Sequence, residues 1–169
     1  MTYERFEDLP VWKAATELAH RVFDLVEDRA FARLGDLRNQ LQRAALSISN
    51  NIAEGFERGT TAELLTFLYI ARGSAGETRS CLQFSAGRPE LAHLKSQISN
   101  LKSQAESISR QLRGWAATLQ NSDIPGQRRM TEESQADYRQ RRGAGEFVEK
   151  LKTIRSRGPS PMTSPESPI

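Results

Sequence analysis

Between Leu94 and Leu119 the apolar residues Leu94, Ile98, Leu101, Ala105, Ile108, Leu112, Trp115 and Leu119 follow one another in steps of four and three. Only a helix lines such residues up on one face, and unbroken alternation of this kind is the heptad seam of packed helices. A helix with one apolar stripe cannot bury it alone. The constraint on the fold is therefore immediate: other helices must supply matching stripes.

Three earlier segments do so. Trp12, Ala15, Leu18, Ala19, Val22, Phe23 and Val26 recur at helical spacing. Asp8 is the expected N-cap, with Pro10 in the first turn, where its missing N–H does no harm. A second helix is expected from Gly35-Asp36, striped by Leu37, Leu41, Ala44, Ala45, Ile48 and Ile52 and closed by Gly55 in a left-handed conformation. The third opens with Thr60 and Glu63 at capping-box spacing. Leu64, Leu65, Phe67, Leu68, Ile70, Ala71, Ala75, Thr78 and Leu82 continue it. Gly73 and Gly76 inside it each cost about 1 kcal/mol relative to Ala, so close approach of another helix is expected there. Gly87-Arg88-Pro89 ends the third helix and starts the fourth. No stretch alternates with period two for long enough to suggest a sheet. The expected fold is all-α: an antiparallel up-down four-helix bundle over residues 1–120.

Beyond Asn121 hydrophobic residues thin out, and the end from Gly158 to Pro168 is rich in Pro and Ser. Residues 121–169 are expected to form a low-complexity, mostly disordered tail. Within it Phe147, Val148, Leu151 and Ile154 share a face and predict a short helix over 146–154. The mean hydropathy of −0.60 and the 37% share of hydrophobic residues in this 169-residue chain fit either an economical core, as in a helical bundle, or a chain that is unfolded in part. No apolar run reaches the roughly 20 residues of a membrane span. The first residues lack a basic segment followed by an apolar one, so no secretory signal is expected. Cys81 is the single cysteine, which rules out an intrachain disulfide framework. The expected location is the cytoplasm.

No catalytic constellation can be assembled, so the chain is not expected to be an enzyme. His20 and His93 sit among polar neighbours, without carboxylates or cysteines at ligand spacing, and read as surface histidines. Cys81 reads as a packing residue. Gly73-Ser74-Ala75-Gly76 lies inside a helix and matches neither nucleotide-binding fingerprint. No metal and no cofactor is expected.

Charge offers more. There are 24 basic and 21 acidic residues, a net of +3, and only Lys13, Lys95, Lys102, Lys150 and Lys152 among the bases are lysine. Arg suits phosphate through its planar fork, but it suits carboxylates equally well. Through residue 122 the chain carries 15 bases against 14 acids. Nucleic-acid affinity would therefore require the two signs to segregate onto different surfaces. The outer face of the fourth helix is largely Ser, Gln and Asn, an uncharged surface suited to contact with another subunit.

Three stretches, in order, carry a family resemblance: Phe6-Glu7-Asp8-Leu9-Pro10-Val11-Trp12-Lys13-Ala14-Ala15, then Gln40 to Gly55 (QLQRAALSISNNIAEG), then Phe67 to Glu77 (FLYIARGSAGE). Together they resemble a bacterial four-helix-bundle family of proteins encoded by intervening sequences of 23S ribosomal RNA genes. That family also includes the accessory variability protein of diversity-generating retroelements. The resemblance covers roughly residues 4–118. It implies a homopentamer around a central channel, without enzymatic activity. For the retroelement branch it implies binding to a reverse transcriptase and to RNA or DNA. Five copies of this chain would carry about +15.

Beside that, Arg43, Glu54, Arg72 and Glu77 occupy the polar positions of the motifs. Antiparallel packing would set Arg43 near the C-terminal part of the third helix and Glu54 near its start. Two readings stay open. The charges are register-fixing ion pairs, or Arg43, Arg72 and Arg79, with Arg58 in the turn, are phosphate contacts that follow a nucleic-acid backbone by charge alone. Arg72 and Arg79 are seven residues apart, about 10 Å by helical rise.

Overall fold

The computed structural model describes residues 3–121. Four α-helices fill them: α1 (Pro10–Leu25), α2 (Gly35–Glu57), α3 (Thr61–Ala86) and α4 (Lys95–Gln120). Short 3₁₀ turns precede α1 (Phe6–Asp8), join α1 to α2 (Arg29–Arg33) and join α3 to α4 (Pro89–Leu94). Among the described residues there is no strand. Each helix packs against the two beside it, α1 on α2, α2 on α3, α3 on α4 and α4 on α1, which closes the bundle. Cross-links fix the directions. Gln40 meets Glu77 and Ser47 meets Ser74, so α3 runs down as α2 runs up. Lys102 meets Gln83 and Gln120 meets Tyr69, so α4 reverses again. The expected up-down bundle is the observed one. Residues 122–169, with the expected tail and its short helix, lie outside the described residues.

The core is one continuous cluster drawn from all four helices and both 3₁₀ connections, with Leu18, Leu41, Ile48, Ile52, Leu64, Leu68, Leu82 and Ile98 fully buried. Phe31 and Leu91 plug the connections themselves into it, at 0% and 1% exposure. Cys81 is buried among these residues, as expected of a packing cysteine.

Several local expectations give way, each for a physical reason. Asp8 does not cap α1; it lies in the 3₁₀ turn, and buried Leu9 stands at the cap with no side-chain bond. Pro10 disfavours helical geometry in the residue before it, so Leu9 is extended and turns its side chain inward. Phe23 leaves the α1 stripe and is exposed, because Val22, Leu25 and Val26 take the inward positions. Gly55 does not end α2, which runs on to Glu57. It is buried where α3 crosses: a Cβ there would lie 2.6 Å from the Phe67 Cβ and 3.2 Å from Leu64 Cδ1. Gly73 and Gly76 are the reverse case: among the described residues nothing lies within 4 Å of where their Cβ atoms would be, although Ser74 between them meets Ser47 of α2. Ile70 also points out, at 47% exposure.

The α4 seam holds from Ile98 to Leu112, then moves to Ala116, leaving Trp115 and Leu119 half-buried at its edge. An α-helix drifts about 20° per heptad against a 3.5 repeat, and the drift turns the stripe by one position. Thr60 does cap α3. Its hydroxyl oxygen accepts from the Glu63 N–H at 3.2 Å and its O–H donates to the Glu63 carboxylate at 2.8 Å. Such a cap is worth about 1 kcal/mol.

Candidate nucleic-acid interface

The four arginines singled out from sequence do not gather on one surface. Arg58 follows the C-terminus of α2, between two carboxylates. Its guanidinium donates to Glu54 at 2.7 Å, lies 3.9 Å from Glu63 and rests 5.2 Å from the Phe67 ring centre. The Glu54 bond leads in raising its pKa. Arg58 thus joins the end of α2 to the start of α3, and Glu54 lies at the start of α3 as expected. The ion-pair reading fits Arg58. Arg79 is half-buried, with one guanidinium nitrogen 3.8 Å from Glu106, which also takes Arg110 at 3.1 Å. Its Nε is buried with no hydrogen-bond partner among the described residues.

Arg43 and Arg72 are exposed and make no ion pair among the described residues. Arg43 lines an open trough of about 690 Å³ with Asp36, Gln40, Leu46 and Phe23. That trough mixes exposed apolar groups with a carboxylate. Arg72 and Arg79 share a helix, but one is exposed and the other partly covered against α4, so they do not form an even row.

Sequence reasoning passed over the two connections, which lie at the same end of the bundle and touch. Every acid in them is paired: Glu27 takes Arg38 at 2.9 Å, Asp28 takes His93 Nε2 at 3.0 Å and Glu90 takes Arg88 at 2.6 Å. Asp28 also accepts from the Ala30 N–H. The His93 bond, then the Ala30 bond, hold its carboxyl below the ordinary value. The separation of 65 residues hid this partner of His93, which was expected to have no carboxylate nearby. With the acids occupied, Arg29, Arg33 and Lys95 stay without ion partners among the described residues. The opposite end holds Arg58 between Glu54 and Glu63. Asp24 and Asp36 stand exposed at the same end as the connections, also without ion partners among the described residues, so the surplus of positive charge there is small. Arg29, Arg33 and Lys95 carry no signal in one dimension, since only folding brings the connections together.

Cys81 lines a small groove with Glu77 and Phe84; burial first, and the Glu77 charge second, push its thiol pKa up. No group of three or more His, Cys, Asp or Glu among the described residues converges to hold a metal ion. No helix among them is long and apolar enough to cross a membrane.

The class defined by this fold is an all-helical, up-down bundle whose side chains present charge on the outside. Residues 7–114 match the family model described as 23S rRNA-intervening sequence protein, and the chain belongs to that family. No curated protein matches the chain.

Proposed function

We propose that the protein is a non-enzymatic, homo-oligomeric, nucleic-acid-binding accessory protein of the cytoplasm. The observation that carries this reading is the group of exposed, unpaired bases around the two connections. Glu27 and Glu90 are taken up by Arg38 and Arg88, while Arg29, Arg33 and Lys95 face solvent without ion partners among the described residues. A nearly neutral bundle can therefore still attract a polyanion. Assembly is supported by large apolar side chains left outside: Phe23, Leu46, Tyr69, Ile70 and Phe84. The resemblance described above extends the reading to a pentamer and to a reverse transcriptase with its template RNA as partners.

Light scattering and titration with a structured RNA at several salt concentrations test both halves. A ring of copies and an affinity that falls steeply with salt are expected. A monomer would overturn the assembly; no binding at low ionic strength would overturn the nucleic-acid role.

A second reading rests on the same exposed apolar residues: an intervening-sequence-type scaffold that docks a protein partner, with nucleic acid irrelevant. Capture of that partner after nuclease treatment, by a protein that binds no RNA, would decide for it.

A further inference from the structure

Two grooves flank the N-terminal half of α4. One, of about 810 Å³, is lined by Ala92, His93, Lys95, Ser96, Ser99, Asn100 and Ser103. The other, of about 340 Å³, lies between α3 and α4 and brings Gln83, Lys95, Ser99 and Lys102 around Ile98 and Gly87. Lys95 and Ser99 line both, so the two form one strip around the helix. No acidic side chain lines either groove. In this they differ from the Arg43 trough, which holds Asp36 and the apolar faces of Phe23 and Leu46.

The strip is a set of donors. Lys95 and Lys102 supply point charges, Ser96 and Ser99 hydroxyls and Asn100 amide N–H groups. The Ser103 O–H already donates to the Ser99 carbonyl at 3.1 Å and offers its oxygen as an acceptor. Lys102 now donates to the Gln83 amide oxygen at 2.8 Å, a neutral partner that leaves its charge uncompensated. Seven residues separate the two lysines, about 10 Å along the helix. Charges spaced this way with hydroxyls between them suit a phosphate backbone and its sugars, and they read no base edge.

We infer that a nucleic-acid backbone lies along the N-terminal half of α4, with Lys95 and Lys102 on its phosphates and the Ser/Asn row on phosphate and sugar oxygens. This rests on the nucleic-acid reading above and gives it a place. It reassigns the uncharged face of α4, which from sequence suited contact with another subunit. Recognition is by charge and hydrogen bonding to the backbone, without sequence preference. A purely structural role is the competing account, because the C-terminal carbonyls of α3 lie at the same end and lysines offset the negative pole of that helix.

The test uses the full chain, a labelled RNA hairpin and a DNA hairpin of the same sequence, with anisotropy read from about 50 to 200 mM salt. Lys95→Gln with Lys102→Gln should weaken binding at least about tenfold and flatten the log–log salt slope by about two, one for each lysine. Lys95→Arg with Lys102→Arg should restore both. Arg43→Gln with Arg72→Gln should leave the slope nearly unchanged. Equal effects on the two hairpins identify the phosphates as the ligand; a larger effect on RNA adds the 2′-hydroxyl. Unchanged affinity of the lysine variants, with or without a lower melting temperature, overturns this placement while leaving the nucleic-acid role intact. A wild-type chain that binds neither hairpin overturns both.

Discussion

The α2–α3 pair uses glycine in two opposite ways. At Gly55 the helices meet so closely that a single carbon would collide with Phe67. About two turns or more beyond Phe67 on α3, Gly73 and Gly76 have nothing among the described residues within 4 Å of an added Cβ, near the exposed Ile70. Within the second region the helices are still tied by the Ser47–Ser74 hydroxyl contact at 2.9 Å. The lesson is that a small residue in a helix reports crowding only where something arrives to crowd it. Where nothing does, the helix carries the propensity cost with no compensating contact at that carbon among the described residues.

Alanine substitutions break or sharpen this contrast. Gly55→Ala should give the largest effect, a loss of about 1–3 kcal/mol from overpacking, measured by chemical denaturation. A stable, native-like variant would show that α3 can move aside. Gly73→Ala and Gly76→Ala should act in the other direction, raising stability by about 1 kcal/mol each. Melting them at a concentration where light scattering reports monomer checks this. A fall in the monomer would overturn the open-space reading, and a gain confined to the monomer that reverses where copies assemble would mean that another chain covers the stretch.

The smallest effect should lie at the connections. Asp28 has its carboxyl held below the ordinary value by His93 and the Ala30 N–H. A lowered folded-state pKa contributes stability that is present above the ordinary carboxylate range and lost as pH falls through it. Wild-type protein should therefore lose more of its melting temperature between pH 6 and about pH 3 than Asp28→Asn does. Parallel curves for the two would show that the pair contributes nothing to folding.

How far the chain could be read in one dimension differs by region. The four stripes and the Thr60–Glu63 cap rest on spacing within a few residues, and these hold in the structure; the resemblance to the 23S rRNA intervening-sequence family is met by the family match over residues 7–114. Gly55 could not be read correctly, because a helix-closing glycine and a glycine admitting a neighbour look alike until Phe67 and Leu64 are placed beside it. Phe23 and Ile70 have apolar character and helical spacing, yet the inward arc was already filled. The Ala116 shift in α4 needed the drift of 3.6 against 3.5, which a list of heptad positions hides. For the charges, Arg58 was legible as a charged turn residue and not as a bridge between two acids. Lys95, Arg29 and Arg33 had no local signature, since their setting comes from chain segments about 60 residues apart.

Phe31 and Leu91 give the connections an unusual standing. A surface loop ordinarily samples many shapes, and anything that grips it must first freeze it. Here each link is bolted through its middle into the interior. The platform that carries Arg29, Arg33 and Lys95 is accordingly rigid before any visitor arrives, and an incoming chain would forfeit little of its grip to stilling the surface beneath it.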